Sequence, residues 1–163
     1  PMRAWAPGAI APGSATDAVV RNIDLAPTIL DLAGVPWPDS LARDGASVAP
    51  LFRGEAPPAA AGGEFLYEYY WEYAFPHTPT TFALRGDRFK YVYYHGVWDV
   101  SELYDLRTDS LEMTNLIGVP AYADTVRAMR GRLFDVLERT GGMQVPLRRG
   151  DWQAAERKNP TPP

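Results

Sequence analysis

The chain has 163 residues, a formal net charge of −4, and hydrophobic and charged fractions of 46% and 22%. This balance provides no basic field that would attract nucleic acid or an anionic membrane. The absence of cysteine excludes disulfides, thiolate nucleophiles and cysteine-based metal sites, and no apolar run of about 18 residues predicts a membrane span. No export signal is in view. The chain begins at Pro1 with no initiator Met, so we expect it to be the interior of a longer protein.

The first predicted helix covers residues 22–34. Asp24 is its expected N-cap, and Gly34 is the residue expected to end it in the left-handed conformation. A metal-ligand role is the alternative for Asp24. Three apolar side chains share one face of this helix at helical spacing and are expected to be buried: Leu25, Ile29 and Leu32.

Composition then divides the chain. Residues 57–63, rich in Pro, Ala and Gly, predict a flexible connection. Residues 1–56 are interpreted as the end of a larger α/β domain that is incomplete here. Residues 64–142 form a separate subdomain, and residues 143–163, which are polar and end in prolines, form an extended tail.

The subdomain is predicted to be α+β: a small antiparallel sheet of about four strands packed against a C-terminal helix. The helix is expected over residues 121–140, with its apolar side on the sheet and its arginines outward. Gly86-Asp87 is expected to form a two-residue hairpin turn with positive φ at Gly86. Aromatic and β-branched residues predict the four strands: residues 64–73, 82–85, 88–94 and 102–106.

A spaced set of residues after the hairpin carries a family resemblance. The run Leu103-Tyr104-Asp105-Leu106, followed by Asp109, Glu112 and Asn115-Leu116, resembles the ELYDL-xx-DP-xE-xxNL signature near the C-terminus of type I sulfatases, in the alkaline-phosphatase-like superfamily. Ser110 stands where that family usually has proline. The stretch from Phe65 to Asp99 looks most like sulfatases of the N-acetylglucosamine-6-sulfatase or other glycan sulfatase kind.

The resemblance implies a mechanism that this chain cannot supply by itself. It implies a hydrated formylglycine, made from Cys or Ser in a C/S-x-P-x-R motif, that attacks sulfur while calcium stabilises the sulfate oxygens. The chain has no such motif and no carboxylates at calcium-loop spacing. We therefore expect no catalytic and no metal-binding residue here. The implied partners are a sulfated carbohydrate and the N-terminal catalytic domain of the same chain, in a bacterial periplasm or secreted.

What the chain is expected to contribute is part of a substrate pocket. The candidate substrate-binding residues are His77, held on a loop by flanking prolines, Trp98, which could stack on a sugar ring, and Glu72 at a strand end. His95 is a further candidate, and for each residue a purely structural role is the alternative. Two other functions stay open: a phosphonate or phosphate monoester hydrolase of the same superfamily, and a non-catalytic carbohydrate-binding module.

Overall fold

The computed structural model describes residues 2–8, 10–56, 63–72, 74–97 and 100–145. The chain separates into two compact units, Pro1–Gly63 and Glu64–Pro163. Each unit is built around its own contacts, so each is described by itself. Trp98 and most of the predicted tail lie outside the described residues. Among the described residues, no helix has the length and apolar character needed to cross a bilayer.

The first unit contains a 3-10 turn, Asn22–Asp24, that runs directly into helix α1, Leu25–Leu32. Gly34 follows with a φ of 68°. Its N–H donates to the Asp31 carbonyl, and the next N–H donates to the Leu30 carbonyl, which is the Schellman pattern. The predicted end of the helix is therefore confirmed. A short helix α2, Ala49–Phe52, completes the unit.

The apolar face of α1 differs from the prediction. Leu25, Ile29 and Leu32 share a side of the helix but are 43%, 65% and 49% exposed. The residues of α1 that are buried are Pro27 and Thr28, because the side of α1 that carries these two residues faces the segment at Gly45–Val48. The hydroxyl of Thr28 accepts a hydrogen bond from the Val48 N–H at 2.9 Å.

The second unit is a four-stranded antiparallel sheet in the order β1-β2-β3-β4. The strands follow one another as a meander, so each pairs with its sequence neighbour. This confirms the predicted α+β class with about four strands. The strand bounds are Phe65–Tyr69 (β1), Thr81–Arg85 (β2), Phe89–Tyr94 (β3) and Ser101–Asp105 (β4).

Helix α3, Ala123–Thr140, covers one face of this sheet and follows a 3-10 turn at Pro120–Tyr122. Aromatic edges hold the two layers together, with Phe89 against Tyr122 at 6.1 Å and Tyr93 against Phe134 at 5.4 Å between ring centroids. The predicted inward face of the helix is confirmed. The buried core consists of Phe82, Leu84, Tyr91 and Leu103 from the sheet and Met129, Leu133 and Leu137 from the helix.

The β2–β3 hairpin turns one residue later than predicted. Arg85 pairs with Lys90, and the Gly86 N–H donates to the Phe89 carbonyl at 2.9 Å. Asp87 and Arg88 are therefore the two central residues, and Gly86 does not have a positive φ. The shift places the Arg88 guanidinium where it binds the Asp105 carboxylate at 2.7 Å, an ion pair that the turn prediction did not consider.

Candidate functional site

Two connections meet at one end of the sheet because the strands alternate in direction. The β1–β2 connection, residues 70–80, and the β3–β4 connection, residues 95–100, leave and re-enter the sheet at the same end. A backbone hydrogen bond joins them, from the His95 N–H to the Thr80 carbonyl at 2.9 Å. We call the described residues Trp71, Glu72, 74–80 and 95–97 the loop end of the sheet.

The loop end contains two of the three predicted substrate-binding residues. Glu72 and His77 are both exposed, so their side chains are accessible to a ligand. His95 is also exposed and lies on the neighbouring connection. Trp98 lies outside the described residues, and its predicted stacking role stays a prediction.

Hydrogen bonds fix the conformation of the β1–β2 connection. The Trp71 N–H donates to the Thr80 hydroxyl at 2.9 Å, and the Trp71 indole Nε1–H donates to the Pro76 carbonyl at 3.1 Å. The Thr78 N–H donates to the Phe75 carbonyl at 3.0 Å. The residue that precedes His77 is therefore tied to an aromatic side chain at the base of the loop.

The sequence prediction missed Trp71 and Thr80 because it extended β1 through Tyr73. In the structure β1 ends at Tyr69, and Trp71 belongs to the connection. Pro76 and Pro79 were the available signal, since prolines cannot donate to a strand ladder. They indicate a loop, but they do not show which side chains hold it.

At the opposite end of the sheet the sulfatase-like signature residues are engaged in structural contacts. Asp105 is 1% exposed and is held by Arg88, and this hydrogen bond lowers the pKa of the Asp105 carboxyl. Asp109 accepts the Thr114 N–H at 2.7 Å, and Glu112 pairs with Lys90. These carboxylates organise a turn.

Asn115, the last polar residue of the signature, protects the free edge of β4. Its Oδ1 accepts the N–H groups of Leu103 and Ile117, both at 3.0 Å, and its Nδ2 donates to the Ser101 carbonyl at 3.2 Å. A sheet edge with unpaired backbone groups is a site for unwanted pairing. The asparagine side chain therefore substitutes for a fifth strand.

On the sheet face away from α3, two tyrosine hydroxyls form hydrogen bonds with the same carboxylate. The hydroxyls of Tyr94 and Tyr104 each donate to Glu102 at 3.0 Å. Burial, followed by the bond to Glu102 and its negative charge, raises the pKa of each tyrosine to about 12. These hydroxyls stay protonated at physiological pH and are hydrogen-bond donors, not bases.

Asp24 does not form the side-chain cap predicted for it at the start of α1, and its carboxylate is bound by other groups of the protein. Its carboxylate accepts the Arg21 guanidinium, with Nη2 to Oδ1 at 2.9 Å, together with the N–H groups of Arg21 and Ala46. Burial opposes ionisation, yet these hydrogen bonds outweigh it and lower the pKa of Asp24. Among the described residues, no cluster of three His, Cys, Asp or Glu could hold a metal ion.

A four-stranded antiparallel meander packed against a C-terminal helix makes this unit a small α+β subdomain. The chain belongs to the family described as N-sulphoglucosamine sulphohydrolase, C-terminal, which matches residues 1–139. It therefore corresponds to the C-terminal region of a sulfatase, as the resemblance implied.

The chain is also similar to individual proteins of known name or structure. The chain is 34% identical over 135 residues to an N-acetylglucosamine-6-O-sulfatase of Bacteroides thetaiotaomicron, covering 82% of this chain and 23% of that protein. A structure solved in complex with its substrate D-glucosamine-2-N,6-O-disulfate has a TM-score of 0.70 and 30% identity, covering 88% of this chain and 29% of its own. A phosphonate monoester hydrolase of Agrobacterium radiobacter has a TM-score of 0.54 and 25% identity, covering 71% and 24%. The chain thus spans about a quarter of the length of these proteins.

Proposed function

We propose that this chain is the C-terminal region of a sulfatase that hydrolyses sulfate esters of carbohydrates, and that it contributes substrate contacts and structural support. The match of residues 1–139 to the sulfatase C-terminal family carries the proposal. The similarity to an N-acetylglucosamine-6-O-sulfatase and to a structure in complex with a glucosamine disulfate supports a sulfated amino sugar as the substrate class.

The nucleophile and the metal belong to the rest of the protein in this proposal. The resemblance stated above implies that the full-length protein uses a formylglycine and calcium. The sequence has no C/S-x-P-x-R motif, and the described residues contain no metal-binding cluster, so the part of the chain that the structure describes does not fit either group. We therefore assign no chemical step to them.

The role left for this chain is recognition at the loop end. Glu72 and His77 are exposed there, and hydrogen bonds define the loop that carries them. A carboxylate can accept hydrogen bonds from sugar hydroxyls, and an imidazole can donate to hydroxyl or sulfate oxygens. Trp98 is proposed as a third contact on the strength of its residue type and its place in the sequence.

Sulfate release by the full-length protein tests the proposal. We expect hydrolysis of a 6-O-sulfated glucosamine disaccharide at a rate well above that of a phenyl phosphonate monoester. Preference for the phosphonate would transfer the chain to the related hydrolases represented by the Agrobacterium structure. Tight binding of the disaccharide without hydrolysis of any ester would favour the carbohydrate-binding module.

His77→Ala in the full-length protein tests the recognition role. We expect kcat/KM on the sulfated disaccharide to fall about tenfold, which is the value of one good hydrogen bond to a charged group. 4-Nitrophenyl sulfate has no sugar hydroxyls, so its hydrolysis is expected to change little. Equal losses on both substrates would show that His77 has a structural role.

A further inference from the structure

The loop end contains an aromatic surface that the predicted site did not include. Trp71 is 39% exposed and Phe75 is 59% exposed, although both side chains are large and apolar. Both lie on the connection that carries His77. Exposed aromatic rings next to polar groups are typical of ligand sites, since the ring faces an apolar surface of the ligand while neighbouring groups form hydrogen bonds.

Trp71 is also oriented by hydrogen bonds on both its backbone and its side chain. The indole Nε1–H is committed to the Pro76 carbonyl at 3.1 Å, so the ring has a fixed position beside the residue that precedes His77. The Trp71 N–H is held by the hydroxyl of Thr80 at 2.9 Å. A ring fixed in this way loses little conformational entropy when it binds a ligand.

Thr80 extends this order to the second connection. It is 6% exposed, and it bonds on two sides: its hydroxyl accepts from Trp71, and its carbonyl accepts the His95 N–H at 2.9 Å. The two connections of the loop end are therefore joined through one buried threonine. Trp71 bonds to Pro76, the residue before His77, and Thr80 bonds to the backbone of His95.

We propose that Trp71 forms the aromatic wall of a glycan subsite at the loop end, and that its indole N–H and Thr80 position the loop that carries His77. A pyranose ring presents an apolar face of C–H groups and a rim of hydroxyls. Trp71 stacks on the face, and His77 bonds the rim. The proposal rests on the sulfatase function proposed above and assigns the stacking role to a residue in the β1–β2 connection.

The test uses three variants of the full-length protein. Trp71→Ala removes the ring and its donor, Trp71→Phe keeps a ring but removes the N–H, and Thr80→Val removes the hydroxyl at nearly constant volume. Trp37→Phe is the matched control, because the Trp37 indole N–H also donates to a backbone carbonyl, that of Leu41 at 3.0 Å, in the other unit.

The readouts are kcat and KM on a 6-O-sulfated glucosamine disaccharide and on 4-nitrophenyl sulfate, with thermal unfolding as the check on folding. Trp71→Ala is expected to raise KM for the disaccharide about tenfold or more and to leave the aryl sulfate nearly unchanged. Trp71→Phe and Thr80→Val are expected to raise KM for the disaccharide severalfold. Trp37→Phe is expected to leave kcat and KM for both substrates unchanged. Proportional losses on both substrates, or a wild-type KM in Trp71→Ala, would overturn the proposal.

Calorimetric binding of the same disaccharide separates this proposal from the sulfatase function. If the wild-type protein releases no sulfate but binds the disaccharide, and Trp71→Ala weakens that binding at least tenfold, the subsite stands and the activity fails. If binding is the same in wild type and Trp71→Ala, the subsite fails whatever the activity. If Trp71→Ala does not fold, Trp71→Phe decides: severalfold weaker binding of the disaccharide supports the subsite, and unchanged binding overturns it.

Discussion

The two ends of the sheet use their polar residues in opposite ways. At the end with the β2–β3 turn, the buried Asp105 carboxylate is paired with Arg88, and Glu112 is paired with Lys90. At the loop end, Glu72 and His77 are exposed, and hydrogen bonds fix the loop without using their side chains. The residues that carry the family resemblance therefore build the scaffold, whereas the proposed ligand site is at the end that carries no signature residue.

The largest loss of folding stability is expected for a substitution in the buried part of the signature. Leu103 is 0% exposed, and Leu103→Ala should reduce the free energy of unfolding by about 2–5 kcal/mol because it leaves a cavity under α3. Urea unfolding of the full-length protein measures this change in the free energy of unfolding. Leu111→Ala is the matched control, since Leu111 is 79% exposed; an equal loss in the control would contradict the scaffold role.

Arg88→Met is expected to have the next largest effect. It leaves the buried Asp105 carboxylate without its guanidinium partner, which costs more than loss of an exposed pair. Arg127→Met is the control, because the Arg127 and Asp124 side chains are 79% and 92% exposed. Unfolding of both variants at neutral pH should rank Arg88→Met well below Arg127→Met in stability, and the reverse order would count against the ion pair.

The pH dependence of Arg88→Met follows from the lowered pKa of Asp105. A carboxyl whose pKa is depressed in the folded state contributes stability above its ordinary value of 3.8, and this contribution is lost as the pH falls through the folded value. The stability difference between wild type and Arg88→Met should therefore shrink under acid conditions. A difference that stays constant down to pH 2 would show that Asp105 is not the group concerned.

The smallest effect is expected for Tyr94→Phe, on the sheet face away from α3. Loss of one hydrogen bond to Glu102 should cost about 0.5–1.5 kcal/mol near neutral pH. The folded pKa of Tyr94 is raised from 10.0 to about 12, so its contribution is complete below pH 10 and is lost between pH 10 and 12. Unfolding at both pH values should show the variant converging on wild type; a gap that widens with pH would contradict the assignment.

The sequence predicted the scaffold well because its periodicity is strong. The apolar spacing of residues 121–140 indicated which side of α3 would be buried, and Met129, Leu133 and Leu137 are buried. The hairpin turn was misplaced by one residue, since the pairing of Arg88 with Asp105 joins positions 17 residues apart and leaves no local pattern. The exposure of Leu25, Ile29 and Leu32 could not be predicted either, because amphipathic spacing does not say what packs on a face.

The sequence predicted which loop carries the candidate site, but not which side chains hold that loop in place. The prolines around His77 correctly indicated a loop, and an alternating meander places both connections at one end. Trp71 was assigned to a strand, since its contacts to Pro76 and Thr80 are specific to the folded loop. Side chains that hold a loop in place follow no period, so only the structure reveals them.

Hydrogen–deuterium exchange of the full-length protein, with and without a saturating 6-O-sulfated glucosamine disaccharide, tests the contrast between the two ends most directly. A large excess of the disaccharide keeps the site occupied during labelling. We expect the ligand to protect amides in residues 74–80 and 95–97 and to leave those of residues 106–117 unchanged. Protection confined to residues 106–117, or absent from the loop end, would contradict the account.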